Sequence, residues 1–202
     1  MIRGKGFTLI ELIVVIVILA VLAVVAAPRF LDLNSDARES MLKGAASELQ
    51  QAINFAHQRW VVEGIGNVAV ANMPGYAEGT DTNPNSNSID SHLDMNDVGY
   101  PIGVDKNPRL SAPLNIGRGN KACFLLWNRL LDSSLVATDN ANQIDDFDIY
   151  ATRRRGEGEF SGAQTRCAFI YTRDGFSTNP NNATHVIWYD SRTGDISYVL
   201  ND

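Results

Sequence analysis

The chain opens with Gly6-Phe7-Thr8-Leu9-Ile10-Glu11, and the sequence stays apolar from there to Pro28. Between Phe7 and Pro28, Glu11 is the only ionisable side chain and Thr8 is the only other polar one. A helix over residues 7–28 would be about 33 Å long, which is enough to cross the hydrocarbon core of a bilayer. A carboxylate at the centre of a bilayer costs roughly 2–3 kcal/mol or more, so we expect Glu11 to have a partner.

Two simpler interpretations compete for this segment. In a secretory signal peptide, Arg3 and Lys5 would form the basic region and Val25-Ala26-Ala27 the cleavage site. The apolar run is longer than the roughly 7–15 residues of a usual signal sequence, however, and it contains Glu11. An ordinary single-span anchor is the other interpretation, and it gives Glu11 no purpose.

The six-residue basic leader and the residues after it resemble the N-terminus of a type IV prepilin. The match lies in Phe7-Thr8-Leu9-Ile10-Glu11, directly after Gly6. The resemblance implies that a prepilin peptidase cuts between Gly6 and Phe7 and that the new amine of Phe7 is N-methylated. It also implies that Glu11 faces the N-terminal amine of a neighbouring subunit, because a buried charge is tolerated when an opposite charge compensates it.

A helical pattern continues beyond Pro28. Apolar residues recur in steps of three and four at Phe30, Leu33, Ala37, Met41, Ala45, Leu49, Ala52, Ile53, Ala56 and Trp60. This stripe predicts one helix over residues 7–63 that ends at Gly64-Ile65-Gly66. Pro28 should kink or loosen it, because proline lacks a backbone donor. The resemblance gives Pro28 a role in unwinding during assembly, although Ala20 stands where many relatives have glycine.

The rest of the chain predicts one globular domain over residues 64–202. The stretch 67–113 is rich in turn-forming residues and is predicted to be loop, with a possible short strand at 67–71. Residues 123–135 predict a second helix, and four β-branched or aromatic segments at 148–153, 166–172, 184–190 and 196–200 predict a small antiparallel sheet. Residues 191–195 predict the turn of a hairpin. The fold class is therefore α+β, as in the type IV pilin fold.

Charge and cysteine content limit the choice of partners. The net charge of −6 disfavours nucleic acid, which is bound through Lys and Arg. Cys123 and Cys167 predict one disulfide if the domain is exported, and two buried thiols if it is not. No Cys/His cluster suggests a metal, and calcium at the Asp/Asn-rich stretch 81–88 is disfavoured because an EF-hand's glycine and glutamate are missing.

No catalytic or cofactor-binding pattern stands out, so we expect no enzyme. The histidines His57, His92 and His185 form no spaced motif and are predicted to be solvated or packed. The run 153–155 is a basic cluster, but Glu157 and Glu159 follow it and favour a charged surface loop. The aromatic residues Trp127, Trp188 and Tyr189 could line a sugar site but are predicted to fill the core.

Further segments resemble pilins of the mannose-sensitive haemagglutinin (MSHA) kind, including the minor B-type pilin of that system. They are 28–32, 36–38, 58–60, Gly64, 99–103 and 123–131. The resemblance implies a major or minor pilus subunit that is anchored in the inner membrane and then polymerises with other pilins. Its partners would be the prepilin peptidase and the inner-membrane assembly machinery. The alternatives are a pseudopilin of type II secretion and a tip adhesin or binding module on a pilin stem.

Overall fold

A computed structural model describes residues 7–64, 66, 68–70, 73, 93–104, 114–117, 119–155 and 165–201, with backbone only for residues 26–32. The chain divides into two compact units, Met1–Met41 and Leu42–Asp202. The second unit combines helical and sheet elements around one main core, so the α+β class predicted from the sequence is confirmed.

The first element is the long helix α1, Leu9–Val62. Its assignment is continuous through residue 28, so Pro28 does not end the helix. One missing backbone hydrogen bond is compatible with a helix that has many others on both sides. The helix ends where Gly64 and Gly66 adopt the positive φ angles of 66° and 67°, which stop a right-handed helix. Within the described part of the chain, no helix is long and apolar enough to cross a membrane.

The buried stripe of α1 belongs to the second unit and begins at Leu42. Its members fill one side of the main core: Leu42, Ala45, Ala46, Leu49, Ile53, Ala56 and Trp60. The sequence pattern placed Met41 in this stripe, but Met41 is 39% exposed and Leu42 is buried in its place. Steps of three and four leave this one-residue choice open, and packing within the unit decides it.

Seven strands and a second helix follow in the residues that the structure describes. The strands are β1 (Asp94–Met95), β2 (Pro101–Gly103), β3 (Ala137–Thr138), β4 (Ile149–Arg155), β5 (Thr165–Tyr171), β6 (His185–Asp190) and β7 (Ile196–Leu200). The helix α2 is Gly119–Leu130. Strands β3 to β7 form one sheet in sequence order, and β1 pairs with β2 in a separate ribbon.

Three features of the main sheet match the sequence analysis and one corrects it. The four predicted strands are β4 to β7, they pair antiparallel, and residues 191–195 connect β6 to β7. The sheet is not purely antiparallel, because β3 pairs with β4 in parallel. A parallel neighbour requires a crossover, and the 3-10 helix Ala141–Asp146 lies in this connection. A two-residue strand is too short to produce an alternating pattern in the sequence.

The stretch predicted to be loop contains the β1–β2 ribbon. Val70 forms a bridge to Met95, which agrees with the short strand predicted around it, and residues 67 and 71 lie outside the described residues. The turn at Gly99 brings the ribbon against α1, and a Cβ added there would lie 2.5 Å from Trp60. The loop prediction was therefore wrong for 94–95 and 101–103, and residues 96–100 between them form a turn. Turn-forming residues dominate the composition and conceal two strands of two and three residues.

Two further boundaries differ from the sequence analysis. Helix α2 begins four residues before Cys123 and ends five residues before Leu135. Strand β4 continues two residues past the predicted end at residue 153, so the predicted surface loop was wrong for Arg154 and Arg155. Arg153 donates from one guanidinium nitrogen to the carbonyl of Ile116 at 3.1 Å, so the strand continues because this side chain has acceptors within the fold.

The sheet is covered on both faces. One face packs against α1 and α2 in the main core, where Trp127 and Phe169 have ring centroids 5.0 Å apart. The other face carries a smaller apolar cluster that includes Tyr150, Ile170 and Trp188, with Phe176 packed on it. Two-sided cover explains why all six residues of β6 are buried.

Candidate functional site

The start of α1 is closed by a reciprocal pair of polar side chains. Thr8 immediately precedes the helix, and its backbone N–H and hydroxyl each donate to Oε2 of Glu11 at 2.8 Å. The backbone N–H of Glu11 reaches the hydroxyl oxygen of Thr8 at 3.3 Å. This is a capping box, which satisfies backbone donors that the first turn of a helix leaves without partners. The capping role of Thr8 was not predicted above, although a Thr followed by a Glu three residues later is the sequence signal for it.

The apolar side chains of the helical segment after this cap are exposed in the part of the chain that the structure describes. From Leu9 to Val25 every large apolar side chain is between 46% and 75% exposed, and Phe7 before it is 86% exposed. Soluble monomers rarely expose continuous apolar surface of this extent, and such a surface marks a contact with a membrane or with other proteins. The segment is apolar around its whole circumference, so it is suited to being surrounded rather than to packing on one side.

A comparison with protein families identifies the same region. The family model of the prokaryotic N-terminal methylation motif matches residues 1–27. This match supports a likeness of the N-terminus to that of type IV pilin-like prepilins. In a pilin-type protein this motif implies processing by a prepilin peptidase and assembly with other pilin subunits. No curated protein and no solved structure matches the chain.

The structure brings some predicted site residues together and leaves others apart. Phe7 lies two residues before the start of α1, and Glu11 lies in the first turn of that helix. Gly6, on the other side of the predicted cleavage point, lies outside the described residues, as does the rest of the leader. Pro28 lies in α1, in the stretch for which only the backbone is described.

Cys123 and Cys167 are joined by a disulfide with a Cα–Cα distance of 5.5 Å. The bond connects α2 to β5 across the main core, and both residues are fully buried. It closes a sequence separation of 44 residues, which restricts the unfolded chain. Its place is structural, since no other cysteine is present to exchange with it.

The histidines have packed positions in the second unit. His57 on α1 has Nδ1 2.9 Å from the carbonyl oxygen of Gly99 and stacks on Tyr100. His185 on β6 is buried, with Nδ1 2.7 Å from the Tyr198 hydroxyl. His92 and the Asp/Asn-rich stretch 81–88 lie outside the described residues. Among the residues that the structure does describe, no three His, Cys, Asp or Glu side chains are grouped as a metal site would need.

The aromatic residues that could have formed a sugar site are in the interior. Trp127 donates from Nε1 to the carbonyl of Leu135, and the Tyr189 hydroxyl donates to the carbonyl of Pro101 at 2.6 Å. Burial, and secondarily the charge of Asp190, raises the pKa of Tyr189 well above its usual value of 10.0. Trp188 is only 8% exposed, so none of these three rings offers an open stacking surface.

Proposed function

We propose that this chain is a structural subunit of a type IV pilus, of the MSHA-like kind, that polymerises through the first half of α1. The observation that carries the proposal is the combination of the methylation motif at residues 1–27 with the exposed apolar segment Leu9–Val25. Copies of that segment packed together would remove its apolar surface from water. Each Å² of apolar area kept out of water contributes about 25 cal/mol, so outside the membrane this segment is stable where other apolar surface covers it.

Glu11 has the electrostatic role in this assembly. Both donors of Thr8 go to Oε2, and the described contacts place no donor on Oε1 of Glu11. The second oxygen is therefore suited to accept from the cleaved, methylated amine of Phe7 in a neighbouring subunit. Such a pair compensates two charges in an apolar core, and removing one partner would leave the other uncompensated.

Before assembly, the segment Phe7–Ala27 anchors the subunit in the inner membrane. Its support is the sequence, in which Thr8 and Glu11 are the only polar residues of the segment. The capping box contributes here too, because Thr8 satisfies one carboxylate oxygen of Glu11 inside the same chain. After assembly the anchor becomes the filament core and the second unit faces outward. This role requires no catalytic step by the chain.

N-terminal sequencing of the protein in sheared filaments tests this proposal. Filament protein should begin at Phe7 with a methylated amine, and the uncut form should stay with the inner membrane. Filament protein that begins at Pro28 would show signal-peptidase cleavage and overturn the proposal. Processed protein that remains in the cell envelope and supports release of secreted enzymes would instead identify a type II secretion pseudopilin. Saturable glycan binding by the purified full-length protein would identify a tip adhesin.

A further inference from the structure

The chain contains one acceptor sequence for N-linked glycosylation, Asn182-Ala183-Thr184. The motif is an asparagine, any residue except proline, and then a serine or threonine, and it is typical of a surface loop in an exported protein. No other asparagine of the sequence is followed by this pattern. Whether so short a motif is a modification site depends on the exposure of the asparagine, the fold around it and the compartment of the domain.

Asn182 lies on a turn whose backbone is fixed. It is the last residue of the 3-10 helix Pro180–Asn182 and is exposed, whereas Pro180 and Ala183 are buried. The side chain of Asn179 accepts from the N–H of Asn181 at 3.2 Å, and its carbonyl accepts from the N–H of Asn182 at 3.0 Å. The turn therefore anchors itself through its first and last residues and leaves the side chain of Asn182 exposed.

A second asparagine holds this turn from the end of the chain. Asn201 donates from Nδ2 to the carbonyl of Pro180 at 3.2 Å and to the carbonyl of Ala183 at 2.6 Å. The amides of Asn179 and Asn201 are thus used by the fold. The side-chain amide of Asn182 takes part in none of the hydrogen bonds that the structure describes, so a group attached to its nitrogen would replace no described hydrogen bond.

The second unit has the features of an exported domain. Cys123 and Cys167 form a disulfide, and disulfides persist in oxidising compartments outside the cytosol. The likeness of residues 1–27 to a prepilin N-terminus also implies transfer of the following domain across the membrane. Export brings residues 182–184 to the side of the membrane on which lipid-linked sugars are transferred to proteins.

We propose that Asn182 is a glycosylation site, which receives an oligosaccharide from a lipid diphosphate carrier through a membrane-bound oligosaccharyltransferase. Nδ2 of Asn182 forms a bond to C1 of the first sugar, and the bond between C1 and the diphosphate oxygen breaks. The amide gives up one proton to a base of the transferase, and the carrier leaves as the lipid diphosphate, so no oxidant or reductant is required. The inference goes beyond the pilus function and requires only that the domain is exported.

Transfer of the sugar precedes completion of the fold. Thr184 supplies the hydroxyl that defines the acceptor sequence, and it is half-buried. Its backbone N–H donates to the carbonyl of Gly175 at 3.1 Å, and its carbonyl accepts from the N–H of Asn201 at 2.8 Å. The transferase therefore binds residues 182–184 before they join the sheet. The folded domain has only to accommodate the sugar at Asn182, where the side chain is exposed.

Mass spectrometry of the full-length protein from the cells that naturally produce it tests the site. The peptide that contains residues 179–185 should carry the added mass of a sugar on Asn182, and fragmentation should release sugar ions. Asn182→Gln and Thr184→Val should each abolish the added mass. Thr184→Ser retains a hydroxyl at the third position and should retain the modification.

Asn181→Gln is the matched control, because Asn181 is exposed on the same turn but is followed two residues later by Ala183. This change should leave the modification in place, and the intact disulfide reports folding of every variant. An unmodified peptide from the unchanged protein would overturn the inference. Sugar on Ser177 or Thr178 instead, or sugar that persists on Asn182 in Thr184→Val, would also overturn it, since either result would indicate a different attachment chemistry.

The peptide is measured in the membrane fraction as well as in sheared filaments, so the result does not depend on assembly. Protein that is glycosylated at Asn182 but absent from filaments would overturn the proposed pilus function and support this inference. Filaments built from unmodified protein would support the pilus function and overturn the glycosylation site.

Discussion

The helix α1 contains two regions whose apolar side chains differ in exposure. From Leu9 to Val25 its large apolar side chains are at least 46% exposed, whereas Leu42, Leu49 and Ile53 are at most 1% exposed. Both regions have apolar residues in abundance. The second region has polar residues between its apolar ones, so one stripe can be buried within the chain. In the first region Glu11 is the only polar residue, so the helix has no polar face to turn toward water. Patterning, rather than hydrophobicity alone, separates a core helix from an assembly helix.

Glu11→Val should produce the largest difference in effect between the two regions. This change should abolish most incorporation into filaments, because the neighbour's amine loses its partner, while membrane insertion should be unimpaired. The ratio of filament to membrane-fraction protein measures the loss, and the intact disulfide reports folding of the second unit. Glu48→Val changes an exposed glutamate in the other region and should have little effect. Undiminished incorporation of Glu11→Val would remove Glu11 from the assembly contact.

Removing the disulfide should have its effect on the second unit. Replacing Cys123 and Cys167 together by serine should lower the free energy of unfolding of the second unit by about 4 kcal/mol, since a long loop is released in the unfolded chain. Denaturant unfolding of the detergent-solubilised full-length protein measures this. Alkylation of the unchanged, unreduced protein should label neither Cys123 nor Cys167. Two labelled cysteines in well-folded protein would contradict the bond.

An identical substitution in the two regions tests the comparison directly. Ile53→Ala removes a fully buried side chain and should destabilise the second unit by about 3 kcal/mol. Ile16→Ala removes a side chain that is 54% exposed and should change the unfolding of the unassembled chain by less than about 0.5 kcal/mol. When filament incorporation is measured instead, Ile16→Ala should have the larger effect and Ile53→Ala the smaller. Equal destabilisation by the two changes would show that the first region is packed within its own chain.

The smallest effect concerns how α1 holds the β6–β7 connection. Gln50 donates from Nε2 to the carbonyl of Gly194 at 2.9 Å and accepts from the N–H of Ile196 at 2.8 Å. Gln50→Ala should cost about 1–2 kcal/mol in denaturant unfolding, because two backbone groups lose their partner. Among the described contacts its neighbour Gln51 donates within the helix, to the carbonyl of Ser47 at 3.3 Å, so Gln51→Ala should change the free energy of unfolding by no more than about 0.5 kcal/mol. Similar losses of unfolding free energy in the two variants would show that the hydrogen bonds of Gln50 to the β6–β7 connection do not contribute to stability.

The sequence by itself determined the elements whose signals are local. The methylation motif, the length of α1, its glycine stop and the last four strands depend on neighbouring residues, and each was predicted to within a few residues. The pairing of Cys123 with Cys167 could be predicted because the sequence has two cysteines, on the condition that the domain is exported. The Thr8–Glu11 cap was equally local and was readable from spacing alone.

Only the tertiary structure decided the features that depend on distant parts of the chain. The β1–β2 ribbon forms because Gly99 lets it approach Trp60, and β3 pairs in parallel because a 3-10 helix returns the chain beside it. Strand β4 extends two residues past its predicted end at residue 153, where Arg153 donates to the carbonyl of Ile116. The opposition of Arg154 and Arg166 appears only when register is known. These features depend on which surfaces come into contact on folding. Contacts between residues far apart in the sequence leave no pattern in the local sequence from which they could be predicted.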